Sequence, residues 1–412
     1  NIAIHYPVGI SGGLPGGKRG NRIEYESVSY SALNTLSDEY ARGLIDYGIG
    51  RGIRCALMLT PGLDFFAMFF ALFKAGAIPV LVDPGIGIKP LKACLTEARP
   101  EAFIGVTKAQ IARKILGWAK KSCELMVTAG PKFGTGGINL KKLKELGEQG
   151  SGELLADVKP NDMAAILFTS GSTGVPKGVV YRHRHFNAQV QLLKNAFDIE
   201  PGEVSLPTFP PFALFDPALG MTTVVPVMDP TRPADADPEK LLEAIDKFKV
   251  TNVFGSPALL DTLSRYCVDK HIRIESVTRV ISAGAAVPIR TIRRMKNSLY
   301  QDAEIHTPYG ATECLPVSSI SASELDDKMV DRIESGDGVC VGRPIEPNDV
   351  RIIKISDMAY NSLSEATEIP FGMPGEIIVS GPTTTDGYWK RDAATEMAKI
   401  RDNDGRIWHR MG

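Results

Sequence analysis

After an apolar run, Ala164–Phe168, the chain reads Thr169-Ser170-Gly171-Ser172-Thr173-Gly174-Val175-Pro176-Lys177-Gly178, and a helical pattern follows from Phe186. These residue types in this order suit an anion. Glycines let successive backbone N–H groups turn toward one point, hydroxyls add donors, and a lysine adds charge. A triphosphate needs that set, so Thr169, Ser170, Gly171, Ser172, Thr173, Gly174 and Lys177 are the first candidate nucleotide ligands. The loop departs from G-x-x-x-x-G-K-[ST] at two positions: Pro176 precedes the lysine where Gly is required, and Gly178 stands where Ser or Thr would hold Mg²⁺. Those departures argue against a P-loop nucleotide hydrolase. A featureless Gly/Ser/Thr surface loop fits poorly between a buried strand and a helix.

Two further segments are Tyr309-Gly310-Ala311-Thr312-Glu313 and Ser282-Ala283-Gly284-Ala285-Ala286-Val287-Pro288. With the loop, they resemble the adenylate-forming superfamily of acyl-CoA synthetases, peptide-synthetase adenylation domains and luciferases. The resemblance runs through almost the whole chain, since Gly342-Arg343-Pro344 and Gly375-Glu376-Ile377 also fit. It implies that the Thr169–Gly178 loop holds the phosphates of ATP. Tyr309 would stack on adenine with Gly310 and Ala311 beside it, and Gly284, Ala285 and Ala286 would run along the ring. Thr312 would touch the α-phosphate and Glu313 would bind Mg²⁺. The chemistry is sensible on its own terms: Mg²⁺ prefers carboxylate and phosphate oxygens, an aromatic face suits a purine, and small side chains let backbone approach a flat ring. Ala311 departs from the methionine often found there, and Glu313 without its neighbours would read as a solvated turn carboxylate. The implied activity is attack of a substrate carboxylate on the α-phosphorus of ATP. It gives an acyl-AMP and pyrophosphate, with Lys177, Thr312 and Glu313 as the catalytic set.

The acid should lie between the two signatures. Pro207-Thr208-Phe209-Pro210-Pro211-Phe212-Ala213-Leu214-Phe215-Asp216-Pro217 is apolar and aromatic, and Phe254-Gly255-Ser256-Pro257-Ala258 would face it. Phe209, Phe212, Phe215, Gly255 and Ser256 are the candidate acid-lining residues, and ordinary core packing explains the three phenylalanines equally well. Asp216 admits two readings. Amino-acid adenylation domains place an aspartate in a similar position to pair the substrate ammonium, whereas an Asp before Pro217 is also a common turn residue. The block Phe209–Pro233 and the run Tyr181-Arg182-His183-Arg184-His185-Phe186 resemble one branch more closely, the β-lactone synthetases of bacterial long-chain olefin biosynthesis. That branch implies a 3-hydroxy fatty acid whose own hydroxyl displaces AMP. The alternatives are a fatty acyl-CoA ligase with CoA as acceptor, an amino-acid adenylating enzyme, and a nucleotide-binding module without turnover. In the R-H-R-H run, histidines are more often surface or helix-start residues than catalysts.

The segment Gly405–Gly412 resembles the family stretch that leads into a ribose-binding aspartate. The resemblance implies that this aspartate, the hinge and the small lysine-bearing C-terminal domain fall outside the chain.

Alternating elements must position these residues. A helix is predicted over Tyr30–Tyr47, then a strand Cys55–Leu59, a helix Asp64–Lys74 and a strand Ile78–Val82. A helix Lys89–Glu97 and a strand Ala102–Val106 follow, and Thr128–Asp157, rich in Gly and Lys, is expected to be a surface connection. Strands Ala164–Phe168, Asn252–Gly255 and Val277–Ser282 alternate with helices Phe186–Phe197, Leu241–Phe248 and Ala258–Tyr266. Short runs Val339–Val341, Val350–Ile355 and Glu376–Val379 indicate a small β-rich body. The expected fold is α/β: two helix-covered, mostly parallel sheets packed together, plus a small β-barrel. Residues 1–160 would form a first α/β subdomain, 161–335 a second carrying the phosphate loop and acid pocket, and 336–412 the barrel.

The 412 residues carry 47 Lys+Arg against 48 Asp+Glu, so no global field draws the chain to nucleic acid. A phosphate ligand must be held by local geometry. The six cysteines form no C-x-x-C pair, so neither a zinc site nor a thioredoxin-like pair is suggested, and reduced thiols in the cytoplasm are expected. No apolar run spans a bilayer, and Leu63–Leu81, interrupted by Asp64, Lys74 and Gly76, reads as a buried helix entering a strand. The expected partners are a small carboxylic acid, CoA as a candidate acceptor, and other enzymes of an olefin pathway.

Overall fold

The computed structural model describes residues 1–11, 22–150, 156–169 and 175–411. Contacts gather these into two compact units, each drawn from several stretches of chain. One comprises Asn1–Leu33, Leu192–Tyr309 and Ser318–Ile345, the other Asn34–Gln191, Gly310–Val317 and Glu346–Gly412.

The first unit is organised on a nine-stranded sheet. Its parallel centre is Glu304–Ala311, Arg279–Ser282, Asn252–Gly255, Val204–Pro207 and Thr222–Val224, and Ile2–Ser11 joins parallel to the last of these. Helices Pro238–Phe248, Pro257–Asp269 and Ile289–Ser298 supply the core. Each buries residues at helical spacing, as with Ile289, Ile292 and Met295. Two of these helices start as the sequence dictates, with Asp237 and Ser256 accepting from backbone N–H groups and Pro at the first position.

The second unit holds a seven-stranded sheet in the order Ile138–Asn139, Leu125–Ala129, Ala102–Val106, Arg54–Met58, Ile78–Leu81, Met163–Phe168 and Gly178–Arg182. All neighbours are parallel except the last pair. The helix Leu63–Lys74 is apolar on nearly every face and buries Phe65, Phe66, Met68, Phe69 and Leu72. It is a core helix, too short for a bilayer, and no helix among the described residues is long and apolar enough to cross a membrane. The β-rich body is a four-stranded antiparallel sheet of Asp349–Ile353, Glu376–Ser380, Ile407–Arg410 and Lys399–Arg401, closed over Ile353, Ile378, Ile400 and Trp408.

Two expectations are corrected. Thr128–Asp157 is not mere connection: it holds the edge strand Ile138–Asn139 and a helix, Leu140–Gln149. That helix is capped by the Asn139 side chain accepting from Lys142 N at 2.8 Å and buries Leu140, Leu143 and Gly147 on one face. Its lysines occupy the solvent side, which gave the stretch a loop-like composition. Val339–Val341 forms no strand, and antiparallel pairing starts at Arg343–Pro344.

Candidate active site

The Gly-rich loop leaves a strand and returns into a strand. Gly178–Arg182 pairs antiparallel with Met163–Phe168, and the helix begins only at His183. The helix expected after the loop is present, but an edge strand that the sequence did not mark stands between the two. Thr169 N donates to Lys177 O at 3.1 Å and Lys177 N to Thr169 Oγ1 at 3.3 Å, so the loop is clamped at its base. Hairpin packing also accounts for Gly178. A Cβ there would sit 2.9 Å from Ile166 Cγ2 and 3.0 Å from Phe168 Cζ, so no hydroxyl-bearing residue fits. Thr169 and Lys177 are thus placed at the mouth, whereas Ser170, Gly171, Ser172, Thr173 and Gly174 lie outside the described residues.

The second signature forms the reversal between Glu304–Ala311 and Cys314–Ser321. Gly310 is required there, because a Cβ would meet Cys314 O and Leu315 Cβ at 2.9 Å. Thr312 O accepts from the buried Tyr181 hydroxyl at 2.6 Å. Glu313 is buried, not solvated. Its backbone carbonyl accepts from Thr385 N at 2.9 Å and Thr385 Oγ1 at 3.0 Å, and its Oε1 accepts from the Tyr388 hydroxyl at 2.6 Å. Burial, then the Glu313 charge, push the Tyr388 phenol up, so it stays protonated and donates. The Lys177 ammonium lies 5.0 Å from the centre of the Tyr388 ring. One side chain therefore touches the key residue of each motif. No group of three metal-ligating side chains occurs among the described residues. A single carboxylate beside a phosphate loop fits a Mg²⁺ carried mainly by phosphate oxygens and water, and does not fit an all-protein metal cage.

In the first unit, Gly284 takes φ +94° with open space around its α-carbon, and Ala285 and Ala286 are exposed with it. This backbone is accessible to a flat ring. Tyr309 is half-buried, and burial raises its phenol. Phe212 stacks on Phe254 at 4.3 Å, with Phe209 and Phe215 centroids 5.7 and 6.3 Å from Phe212. Gly255 is packed tightly, with Leu259 Cδ2 3.0 Å from a would-be Cβ. Ser256 Oγ accepts from Leu259 N at 3.3 Å as a helix cap. Asp216 is buried in the short helix Phe215–Ala218, and its Oδ2 accepts from Thr223 Oγ1 at 3.2 Å. Burial pushes its carboxyl up to about 7, against the opposing pull of the Ser205 and Thr223 hydroxyls. Its surroundings are neutral hydroxyls, which suits a structural turn residue better than an ammonium partner.

His185 is fully buried, and its Nδ1 accepts from Arg182 N at 3.0 Å. Burial and then the Arg184 charge bring its pKa down to about 4, so the ring is neutral and a poor base. Arg182 and Arg184 both bind Asp386. Sequence reasoning did not single out Thr385 and Tyr388, which contact Glu313, nor Asp386, nor the buried Lys399, whose Nζ donates to Thr385 Oγ1 at 3.3 Å. Tyr388 is 75 positions from Glu313, so no local spacing could have marked it.

The AMP-binding enzyme family matches residues 17–389. The olefin β-lactone synthetase of Xanthomonas campestris is 52% identical over 100% of this chain and 74% of its own length. That of Stenotrophomonas maltophilia is 52% identical over 100% of the chain and 73% of its own. In fold, a long-chain-fatty-acid-CoA ligase from Archaeoglobus fulgidus superposes with a TM-score of 0.77 at 20% identity, covering 100% of this chain and 77% of that one. The chain belongs to the AMP-binding enzymes, adenylate-forming ligases that use ATP to activate a carboxylic acid as an acyl-AMP.

Proposed function

We propose that this protein activates a long-chain 3-hydroxy fatty acid and closes it to a β-lactone. The observation that carries the reading is the 52% identity to olefin β-lactone synthetases over the whole chain. Lys177 and the Thr169–Gly178 loop hold the phosphates, with Ser170, Gly171, Ser172, Thr173 and Gly174 as backbone and hydroxyl donors. Glu313 would hold Mg²⁺, which when bound neutralises phosphate charge. Tyr309, Gly310, Ala311 and the Gly284–Ala286 turn take the adenine, and Thr312 takes the α-phosphate. Phe209, Phe212 and Phe215 line the alkyl chain, with Gly255 and Ser256 nearby.

The substrate carboxylate attacks the α-phosphorus, forming the acyl–O–P bond as pyrophosphate leaves. The 3-hydroxyl oxygen then attacks the acyl carbonyl, its proton goes to solvent, and the acyl–phosphate bond breaks to release AMP. An internal nucleophile makes this second step effectively unimolecular and needs no CoA. Six unpaired thiols fit a reducing cytoplasm, where the lactone would pass to other enzymes of an olefin pathway.

The test is product analysis by mass spectrometry, giving the full-length protein Mg-ATP and a long-chain 3-hydroxy acid with and without CoA. A β-lactone and AMP formed without CoA are expected. A 3-hydroxyacyl-CoA formed only with CoA would make it an acyl-CoA ligase. Pyrophosphate exchange driven by an amino acid alone would make Asp216 a substrate partner after all.

A further inference from the structure

Tyr388 links the two signatures of the site physically. Residues Gly387–Trp389 are held against the strand that follows Lys177. Val180 N donates to Gly387 O at 3.1 Å, Trp389 N to Gly178 O at 2.7 Å, and Tyr388 bridges Val179. Tyr388 N is fixed from the other side by Thr395 Oγ1 at 3.0 Å. A few residues earlier the same segment grips the Glu313 turn, with Thr385 on the Glu313 carbonyl and Thr384 Oγ1 3.3 Å from Cys314 Sγ. Backbone that is anchored on both strands leaves the phenol little freedom. Its hydroxyl reaches Glu313 Oε1 at 2.6 Å, and its ring lies under the Lys177 ammonium at 5.0 Å.

We propose that Tyr388 is a positioning residue for the metal and phosphate site. Its hydroxyl fixes one carboxylate oxygen of Glu313 so that the other is presented to the cation accompanying ATP, and its ring sets where the Lys177 ammonium sits. Among the described residues, Glu313 Oε2 accepts no hydrogen bond, as this role requires. A freely rotating carboxylate would have to be ordered on binding, whereas a phenol-fixed one is already oriented. The competing account is that Tyr388 only fills the cluster of Ala165, Val179 and Tyr181. Phe would serve that role equally, so Tyr388→Phe separates the two. The proposal rests on the reading of Glu313 as the metal ligand.

Mn²⁺ binding to the full-length protein with a non-hydrolysable ATP analogue would be titrated by water-proton relaxation, beside pyrophosphate-exchange kinetics. Tyr388→Phe is expected to weaken the metal about tenfold while KM for the acid stays within about twofold. Tyr388→Leu should in addition raise KM for ATP about threefold, because Lys177 loses the ring beneath it. Wild-type metal affinity in Tyr388→Phe overturns the proposal. If the Phe variant does not fold, 3-fluorotyrosine at 388, a stronger donor of nearly the same shape, should tighten the metal about twofold. Unchanged affinity there overturns the proposal too. Glu313→Gln distinguishes the levels. If it binds metal as the wild type does, the reading of Glu313 falls; if it loses metal while Tyr388→Phe keeps it, only the role of Tyr388 falls.

Discussion

Glu313 and Asp216 are both buried carboxylates, 8% and 5% exposed, and both stand out in the sequence as ligand candidates. Their partners separate them. Glu313 sits on a hairpin reversal, held through its backbone by Thr385, and its side chain meets a phenol that also carries the Lys177 ammonium. Asp216 meets the hydroxyls of Thr223 and Ser205, inside a short helix, and burial pushes its carboxyl up to about 7. A buried carboxylate intended for a cation should be oriented and kept within reach of other charge. One that closes a turn needs only hydroxyl donors. Burial alone therefore does not identify a functional acid; the neighbouring groups do.

The comparison breaks most visibly in catalysis. Glu313→Gln and Lys177→Ala in the full-length protein should each cut acyl-AMP formation by roughly 100-fold or more, the scale of removing one group that stabilises transition-state charge. ATP–pyrophosphate exchange measures it, and near-wild-type rates in both variants would remove the site assignment. Asp216→Asn should leave that exchange within about twofold of wild type; a loss as large as that of Glu313→Gln would place Asp216 at the substrate.

Asp216→Asn should instead change the pH dependence of stability. The folded-state pKa of about 7 is raised above the ordinary aspartate value of 3.8, so between those pH values the folded chain binds more protons than the unfolded one. Stability from this group is therefore present at low pH, falls as pH rises from about 4 to 7, and levels off above that. Asn cannot ionise, so the variant should gain on wild type by on the order of 2 kcal/mol between pH 5 and pH 8. Thermal unfolding of both proteins at the two pH values measures the difference. A gap that does not widen toward pH 8 would mean the carboxyl ionises freely in the folded state.

Much of this frame is legible in the sequence, and what is not has physical causes. Strands such as Ala102–Val106 and Asn252–Gly255 were predictable to the residue because they are short apolar runs bounded by breakers. The helix Leu63–Lys74 was legible from its unbroken apolar character. Gly178–Arg182 was not, because five residues between a loop and a helix carry no alternation long enough to mark an edge strand. The helix Leu140–Gln149 was hidden by the lysines of its solvent face, although Asn139 and the Leu140/Leu143 spacing marked it. At the candidate site, Lys177 and Glu313 fall within local motifs, so they could be picked out. Their shared neighbour comes from far along the chain: Tyr388 meets Glu313 through long-range pairing, which local periodicity does not encode.

Ser256 sharpens the contrast at the smallest scale. The sequence puts it beside Gly255 among acid-lining candidates, whereas its Oγ accepts from Leu259 N at 3.3 Å at the start of Pro257–Asp269. If capping is its task, Ser256→Ala should lower stability by about 1 kcal/mol, the usual cost of losing a serine cap, and leave KM for the acid unchanged. Ser256→Asp, which keeps a capping oxygen, should restore most of that stability. It would also set a negative charge beside Phe254, so an acid whose carboxylate or hydroxyl passes close by would bind more weakly. Thermal unfolding and acid KM measured on the two variants give a clear split. Stability lost in Ala and recovered in Asp, with KM flat in both, makes Ser256 a helix cap alone. A KM that rises in Ala with no loss of stability would return it to the acid site.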